Sequence, residues 1–175
     1  EPVGRALLLE DFVSHNPVGT STVLVRRDVL VAAGAFDLQF CGPEDYDLWL
    51  RLVSGYTCLE LGVPLSRYRN TVGSLSMDER KFLPQVLRVL AKAFGEGGAL
   101  YRHQEFRRRA HAEQYSSASW MAYNRGACGA ALWYLLRSWC YDVRFLHKEQ
   151  DDPLLRLKLL FRYVLRRKPD ASAAR

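Results

Sequence analysis

The amino-acid pattern changes character near Met77, and this change constrains the fold more than any other feature. Before it, short apolar runs alternate with Gly- and Pro-containing turns. After it, β-branched runs become rare and long segments have helical periodicity. We therefore expect an α/β region over residues 1–76, followed by an all-helical extension over residues 77–175.

Short elements are predicted in the first region. The run TVLVR at residues 22–26 is typical of a strand buried in a mostly parallel sheet. Turn and cap residues then bound each following element, with Gly34 and Gly55 as helix ends and Pro43 as a helix start. The predicted order is a strand at 22–26, a helix capped by Asp28 and running to Ala33, a helix at 44–54, and strands at 57–61 and 65–69.

In the second region long stretches with few β-branched runs predict helices at 77–94, about 101–124, about 127–145 and 153–167. The Gly-Glu-Gly-Gly run at residues 95–98 is the best candidate for a linker. The last helix gathers its apolar residues on one arc and its Arg and Lys outside it. This pattern is typical of a segment lying on an anionic membrane, and packing against the preceding helices is the commoner use of such a pattern.

Charge separates the chain into two halves. Residues 1–99 hold 10 Lys and Arg against 12 Asp and Glu, a balance of −2, whereas residues 100–175 hold 15 against 7, a balance of +8. A basic half suits phosphates of nucleic acid, anionic lipid or a nucleotide-charged substrate. No nucleic-acid-reading motif accompanies the charge, so we expect no nucleic-acid partner.

Other site classes receive no support. The four cysteines lack C-x-x-C spacing and the four histidines lack metal-ligand spacing, so neither a zinc knuckle nor a disulfide framework is expected. No apolar run approaches the ~20 residues of a membrane-spanning helix. We expect a cytoplasmic protein, peripheral at the inner face of the membrane if the last helix binds lipid.

Asp45 is the candidate catalytic residue. On a helical wheel of residues 44–54 it is the one acid on the apolar face, between Leu52 and Trp49. Partial burial favours its neutral form and the first helical turn favours its charged form, a combination that suits a general base. The alternative is that Asp45 only caps its own helix. Asp47 and Arg51 are expected to form an exposed ion pair on the polar face.

Residues 22–76 resemble the C-terminal part of the catalytic domain of family 2 glycosyltransferases, the inverting enzymes with a GT-A fold. Five pieces match in order: TVLVRRDVL (22–30), GAFD (34–37), PEDYDLWLRL (43–52), PLSRYR (64–69) and GSLS (73–76). The resemblance implies a partial GT-A, Rossmann-like half domain. It also implies sugar transfer from a nucleotide-sugar to the hydroxyl of a saccharide or lipid-linked acceptor, in cell-surface polysaccharide or glycolipid synthesis.

The resemblance also implies roles for particular residues. Asp45 of the Glu-Asp pair would be the base, and Glu44 would help to position the donor or the acceptor. Arg69, Ser74 and Ser76 match the segment that closes over the donor diphosphate in the family, where Thr71 replaces a frequent His. An Arg suits a diphosphate because its planar fork donates two hydrogen bonds.

A donor-binding half with its own Asp-x-Asp motif precedes the matching stretch in the family. The chain begins at Glu1 without such a half, so we expect a fragment that is inactive alone. Mg²⁺ or Mn²⁺ is expected in the full-length enzyme, with ligands mostly outside this chain. The alternative function is a non-catalytic helical scaffold or binding module that retains a transferase remnant.

Overall fold

The computed structural model describes residues 4–67, 77–143, 158, 160 and 161. These residues are mostly helical, with one two-stranded sheet. The strands are β1 (Gly4–Leu7) and β2 (Cys58–Leu61). The α-helices within residues 4–143 are α1 (Asp11–Ser14), α2 (Arg27–Ala32), α3 (Glu44–Gly55), α4 (Glu79–Phe94), α5 (Arg107–Asn124) and α6 (Cys128–Tyr141).

The sheet differs from the predicted one. β1 pairs antiparallel with β2, with Gly4 opposite Leu61 and Leu7 opposite Cys58. The strand predicted at 57–61 forms as β2. The prediction of a strand at 22–26 was wrong. A 3₁₀ turn covers Thr20–Thr22, and the next four residues have no regular structure. Leu24, which was expected to be buried in the sheet, is fully exposed. Residues 64–67 also form no strand, and the rest of that prediction lies outside the described residues.

The short helix α2 confirms a helix before Gly34, whose positive φ of 83° ends it. Its predicted cap was wrong. Arg26 occupies the N-cap position without a side-chain cap hydrogen bond, and Asp28 lies inside the first turn. The Asp28 carboxylate instead accepts hydrogen bonds from the exposed Arg26 side chain.

Helix α3 is confirmed to within one residue at its end, and the predicted apolar face is buried. Leu48 and Leu50 are almost fully inaccessible to solvent, and Asp47 on the opposite side of the helix is buried as well. The predicted helices of the second region are confirmed as α4, as α5 after a 3₁₀ turn at Gln104–Phe106, and as α6. Most of the helix predicted at 153–167 falls outside the described residues. Its three described residues, 158, 160 and 161, are helical.

The glycine run at 95–98 is not a linker but a tight cap on the end of α4. The Leu100 amide donates to the Ala93 carbonyl at 2.7 Å, and the Leu100 side chain is fully buried. A Cβ at Gly98 would lie 2.2 Å from the Lys92 carbonyl oxygen. Glycine is therefore required here because backbone approaches backbone.

The chain divides into two compact units, and one boundary lies within α4 between Pro84 and Gln85. Unit 1 contains described residues 4–67 and 85–107, and unit 2 contains 77–84, 108–143 and the three later positions. In unit 2, a cluster of Ala122, Tyr123, Ala131 and Leu135 is buried between α5 and α6. The division into functional domains at 1–76 and 77–175 stays a prediction.

Candidate functional site

The carboxylate of Asp45 lies in the first turn of α3 and is partly buried. The hydroxyl of Thr20 donates to its Oδ2 at 2.6 Å, and the backbone amide of Tyr46 donates to its Oδ1 at 2.6 Å. Each carboxylate oxygen thus has one donor, which leaves lone pairs for a further proton donor. The carboxylate is oriented by two elements of unit 1, the 3₁₀ turn and α3.

Glu44 precedes Asp45 and is also partly buried. Its Oε2 accepts a hydrogen bond from the Gly42 amide at 2.5 Å. Gly42 has a positive φ of 109°, a conformation that favours glycine. Glu44, rather than Asp45, is therefore the residue that reaches back to the loop before the helix.

The helix that carries both acids is anchored through its next residue. The Tyr46 hydroxyl donates to the Phe12 carbonyl oxygen at 2.5 Å, and the whole side chain is buried. Burial raises the pKa of the Tyr46 phenol, so the group stays protonated and continues to donate. This contact ties the first turn of α3 to α1.

Asp47 corrects the predicted exposed ion pair. Its side chain is only 3% exposed, and it accepts hydrogen bonds from Arg51 Nη2 at 2.6 Å and Nε at 3.1 Å. Lys92 Nζ of α4 lies 2.9 Å from Asp47 Oδ1. The wheel was wrong here because it cannot show that α4 and the loop after α2 cover the polar side of α3.

Arg51 also fixes the loop after α2. Its guanidinium donates to the Ala33 carbonyl and to the Ala35 carbonyl, the latter at 2.8 Å. Between these carbonyls the backbone turns through positive φ at both Gly34 and Ala35, and the value of 51° at Ala35 is unusual for a residue with a side chain. Two of the matching sequence pieces, GAFD and PEDYDLWLRL, are therefore held together by one arginine.

Lys92 joins the same network from α4. Its ammonium lies 2.8 Å from Asp37 Oδ2 and 5.2 Å from the centre of the Phe40 ring. The Lys92 hydrogen bond is the main reason that the pKa of the Asp37 carboxyl is lowered. The charged side chains of this cluster, which we call the Asp47 network, are Asp37, Asp47, Arg51 and Lys92.

Sequence reasoning missed Thr20 and Lys92. Thr20 is 25 residues from Asp45 and Lys92 is 45 residues from Asp47, so no local spacing connects either pair. Of the predicted site residues, the structure places Glu44 and Asp45 side by side on α3. Arg69, Ser74 and Ser76 lie outside the described residues.

Among the described residues, no group of three or more His, Cys, Asp or Glu side chains could hold a metal ion. The four thiols, at residues 41, 58, 128 and 140, are free. No helix in the described part of the chain is long and apolar enough to cross a bilayer.

No protein-family model matches the chain, and no curated protein or solved structure is significantly similar to it.

Proposed function

We propose that this chain is the acceptor-side part of an inverting glycosyltransferase of the family 2 type, with Asp45 as its general base. The observation that carries the proposal is the Asp45 carboxylate, partly buried and oriented by the Thr20 hydroxyl and the Tyr46 amide. The ordered sequence pieces at 22–76 give the proposal its chemistry.

In the proposed reaction the oxygen of an acceptor hydroxyl attacks the anomeric carbon of a nucleotide-sugar. The new bond forms on the face opposite the departing nucleoside diphosphate, which leaves with the electron pair of the broken bond. The hydroxyl proton passes to a carboxylate oxygen of Asp45. A base held by two fixed donors does not need to reorient during this transfer, which is how a preorganised site lowers a barrier.

The anchoring of α3 supports this role. Tyr46, next to the proposed base, is bound to the Phe12 carbonyl, and Asp47, two residues on, is held by Arg51 and Lys92. Such contacts suppress displacement of the helix turn that carries Asp45. Catalytic groups need placement within a fraction of an ångström, and fixed supporting contacts provide it.

Exposed apolar side chains also favour a larger α/β domain. A two-stranded sheet has marginal stability by itself. The sheet of this chain leaves the side chains of Leu59 and Leu61 exposed, and Leu24 and Leu38 are exposed elsewhere in unit 1. We propose that further strands of a GT-A domain cover these side chains. In that domain Glu44 positions a substrate, and Arg69, Ser74 and Ser76 contact the donor diphosphate. The Mg²⁺ or Mn²⁺ of the full-length enzyme would be held mostly by ligands outside this chain and would offset the charge of the diphosphate.

The test uses the native polypeptide that carries this chain, incubated with Mg²⁺ or Mn²⁺, a panel of nucleotide-sugars, and saccharide or membrane-lipid acceptors. Release of nucleoside diphosphate and product stereochemistry are measured. We expect an inverted product, and a loss of kcat of about 10²–10⁴-fold in Asp45→Asn, the typical contribution of a general base. Binding of the donor should persist in this variant.

Asp28→Asn is the matched control, because it removes another helix first-turn acid of unit 1, one that pairs with exposed Arg26. It should transfer sugar at the wild-type rate. A normal kcat in Asp45→Asn would show that Asp45 is not the base. Absence of transfer by the wild-type polypeptide with every donor would favour the scaffold alternative.

A further inference from the structure

Helix α6 presents an apolar surface to solvent. Trp133 is 52% exposed and Leu136 is 50% exposed, and Val143, just beyond the helix, is 73% exposed. Leu132 and Cys140 are exposed on the same side. We call this set of side chains the α6 stripe: Leu132, Trp133, Leu136, Cys140 and Val143. Leu132, Trp133, Leu136 and Cys140 share one face of α6 by their i, i+3 and i+4 spacing, and Val143 follows the end of the helix. Exposed apolar side chains grouped in this way mark an interaction surface.

The buried side of α6 is a different face. Ala131 and Leu135 of α6 pack in the core cluster with residues of α5, and Leu160 packs against that same cluster. Leu160 therefore contacts the inner side of the α5–α6 pair. The side chains of the α6 stripe, by contrast, are exposed in the described part of the chain.

The charges around the stripe are of one sign. Along α5 and α6, and the turn between them, the chain carries five arginines and one glutamate, and this Glu113 is fully buried. One of the five, Arg125, is paired with the buried Glu79 of α4. Asp142, directly after α6, is buried as well. The exposed charge beside the α6 stripe is therefore positive, which is complementary to an anionic partner.

Arginines and aromatic rings are organised along the edge of the stripe. The Arg137 guanidinium lies 5.6 Å from the Trp133 ring centre and 5.7 Å from that of Tyr115. Tyr115 stacks on Tyr141 at 5.6 Å, and Arg108 donates to the Tyr141 carbonyl oxygen at 3.0 Å. Rings with a polar end, bordered by cations, are the composition that favours a membrane–water interface.

We propose that the α6 stripe binds the surface of bilayers that contain anionic phospholipid. The helix lies in the plane of the interface, with Leu132, Trp133 and Leu136 in the boundary between headgroups and acyl chains. Arg137 and Arg108 contact lipid phosphates. With 14 residues α6 is about 21 Å long, too short to cross a hydrocarbon core of about 30 Å. This inference does not depend on the proposed transferase activity, and the membrane contact expected of the segment 153–167 stays a separate prediction.

The experiment measures binding of the 175-residue chain to large unilamellar vesicles by cosedimentation. One set of vesicles is pure phosphatidylcholine and the other contains 30 mol% phosphatidylglycerol. We expect binding to the anionic vesicles that weakens as salt is raised. Leu136→Glu should weaken this binding at least tenfold, because it places a charge where an apolar side chain inserts. Arg137→Gln should weaken it about fivefold, and only on anionic vesicles.

Leu24→Glu is the matched control, since it makes the same substitution at a fully exposed leucine of unit 1. It should bind as the wild type does. Val143 lies outside the helix, so Val143→Glu should not affect folding, which circular dichroism checks. This variant should show the same loss of vesicle binding as Leu136→Glu. Equal binding by wild type and both stripe variants would overturn the proposal. The proposal would also be overturned if the wild type did not bind anionic vesicles but formed a dimer that Leu136→Glu dissociates. The stripe would then join two copies of the chain.

Discussion

Replacing Asp47 with alanine tests whether the Asp47 network holds α3 in place. Asp47 is 3% exposed and is the shared acceptor of two cations, Arg51, which is 21% exposed, and Lys92, which is 39% exposed. Removing one partner of a buried ion pair costs about 3–5 kcal/mol, because the remaining charge is left without a counter-charge. Both cations here retain some access to water, so we expect a loss of about 2–4 kcal/mol in the free energy of unfolding.

Urea unfolding followed by circular dichroism measures this loss. With a denaturant dependence of about 2 kcal/mol per molar, a loss of 3 kcal/mol lowers the unfolding midpoint by about 1.5 M. Asp28→Ala is the control, because it breaks an Arg–Asp pair of nearly the same length, 2.5 Å against 2.6 Å, between exposed side chains. That pair is screened by water, and its removal should leave the midpoint unchanged.

A double-variant cycle separates the ion network from simple loss of packing. Lys92→Met leaves the Asp47–Arg51 contact in place and should cost less than Asp47→Ala. In the double variant one unpaired cation is gone, so its loss should be smaller than the sum of the two single losses. Additive losses, or equal midpoints for Asp47→Ala and Asp28→Ala, would refute the reasoning.

Three further predictions concern single contacts. Tyr46→Phe should cost about 1–2 kcal/mol in urea unfolding, because it leaves the buried Phe12 carbonyl without its donor. Gly98→Ala should cost about 1–3 kcal/mol in the same assay, since its Cβ would meet the Lys92 carbonyl oxygen at 2.2 Å; Gly55→Ala, with open space around the Cβ position, should not destabilise. The Arg80 side chain lowers the pKa of Asp78 from 3.8 to about 2. The ionised Asp78 carboxylate therefore contributes fully to stability above pH 3.8, and this contribution is lost as the pH falls through about 2. In acid unfolding, the difference in the free energy of unfolding between wild type and Asp78→Asn should disappear over this range.

Much of the local structure could be predicted because its causes are local. Helix α3 follows from its apolar periodicity, with Pro43 before it and Gly55 at its end. Helices α4 to α6 follow from long stretches that contain few β-branched residues. The run at 22–26 shows the limit of this reasoning, because β-branched residues favour a strand only where a neighbouring strand provides hydrogen bonds. In this chain β2 pairs with β1, which lies some 50 residues earlier, and not with the run at 22–26. Leu24 of that run therefore stays exposed.

The candidate site divides in the same way. The sequence alone placed Glu44 and Asp45 in the first turn of one helix, since one turn depends only on neighbouring residues. Tertiary structure alone brought Thr20 to Asp45 and Lys92 to Asp47, and it buried an ion pair that periodicity assigns to solvent. The physical reason is that burial and charge pairing depend on which surfaces meet in space, and those surfaces come from segments too distant in the chain to leave a pattern in the sequence.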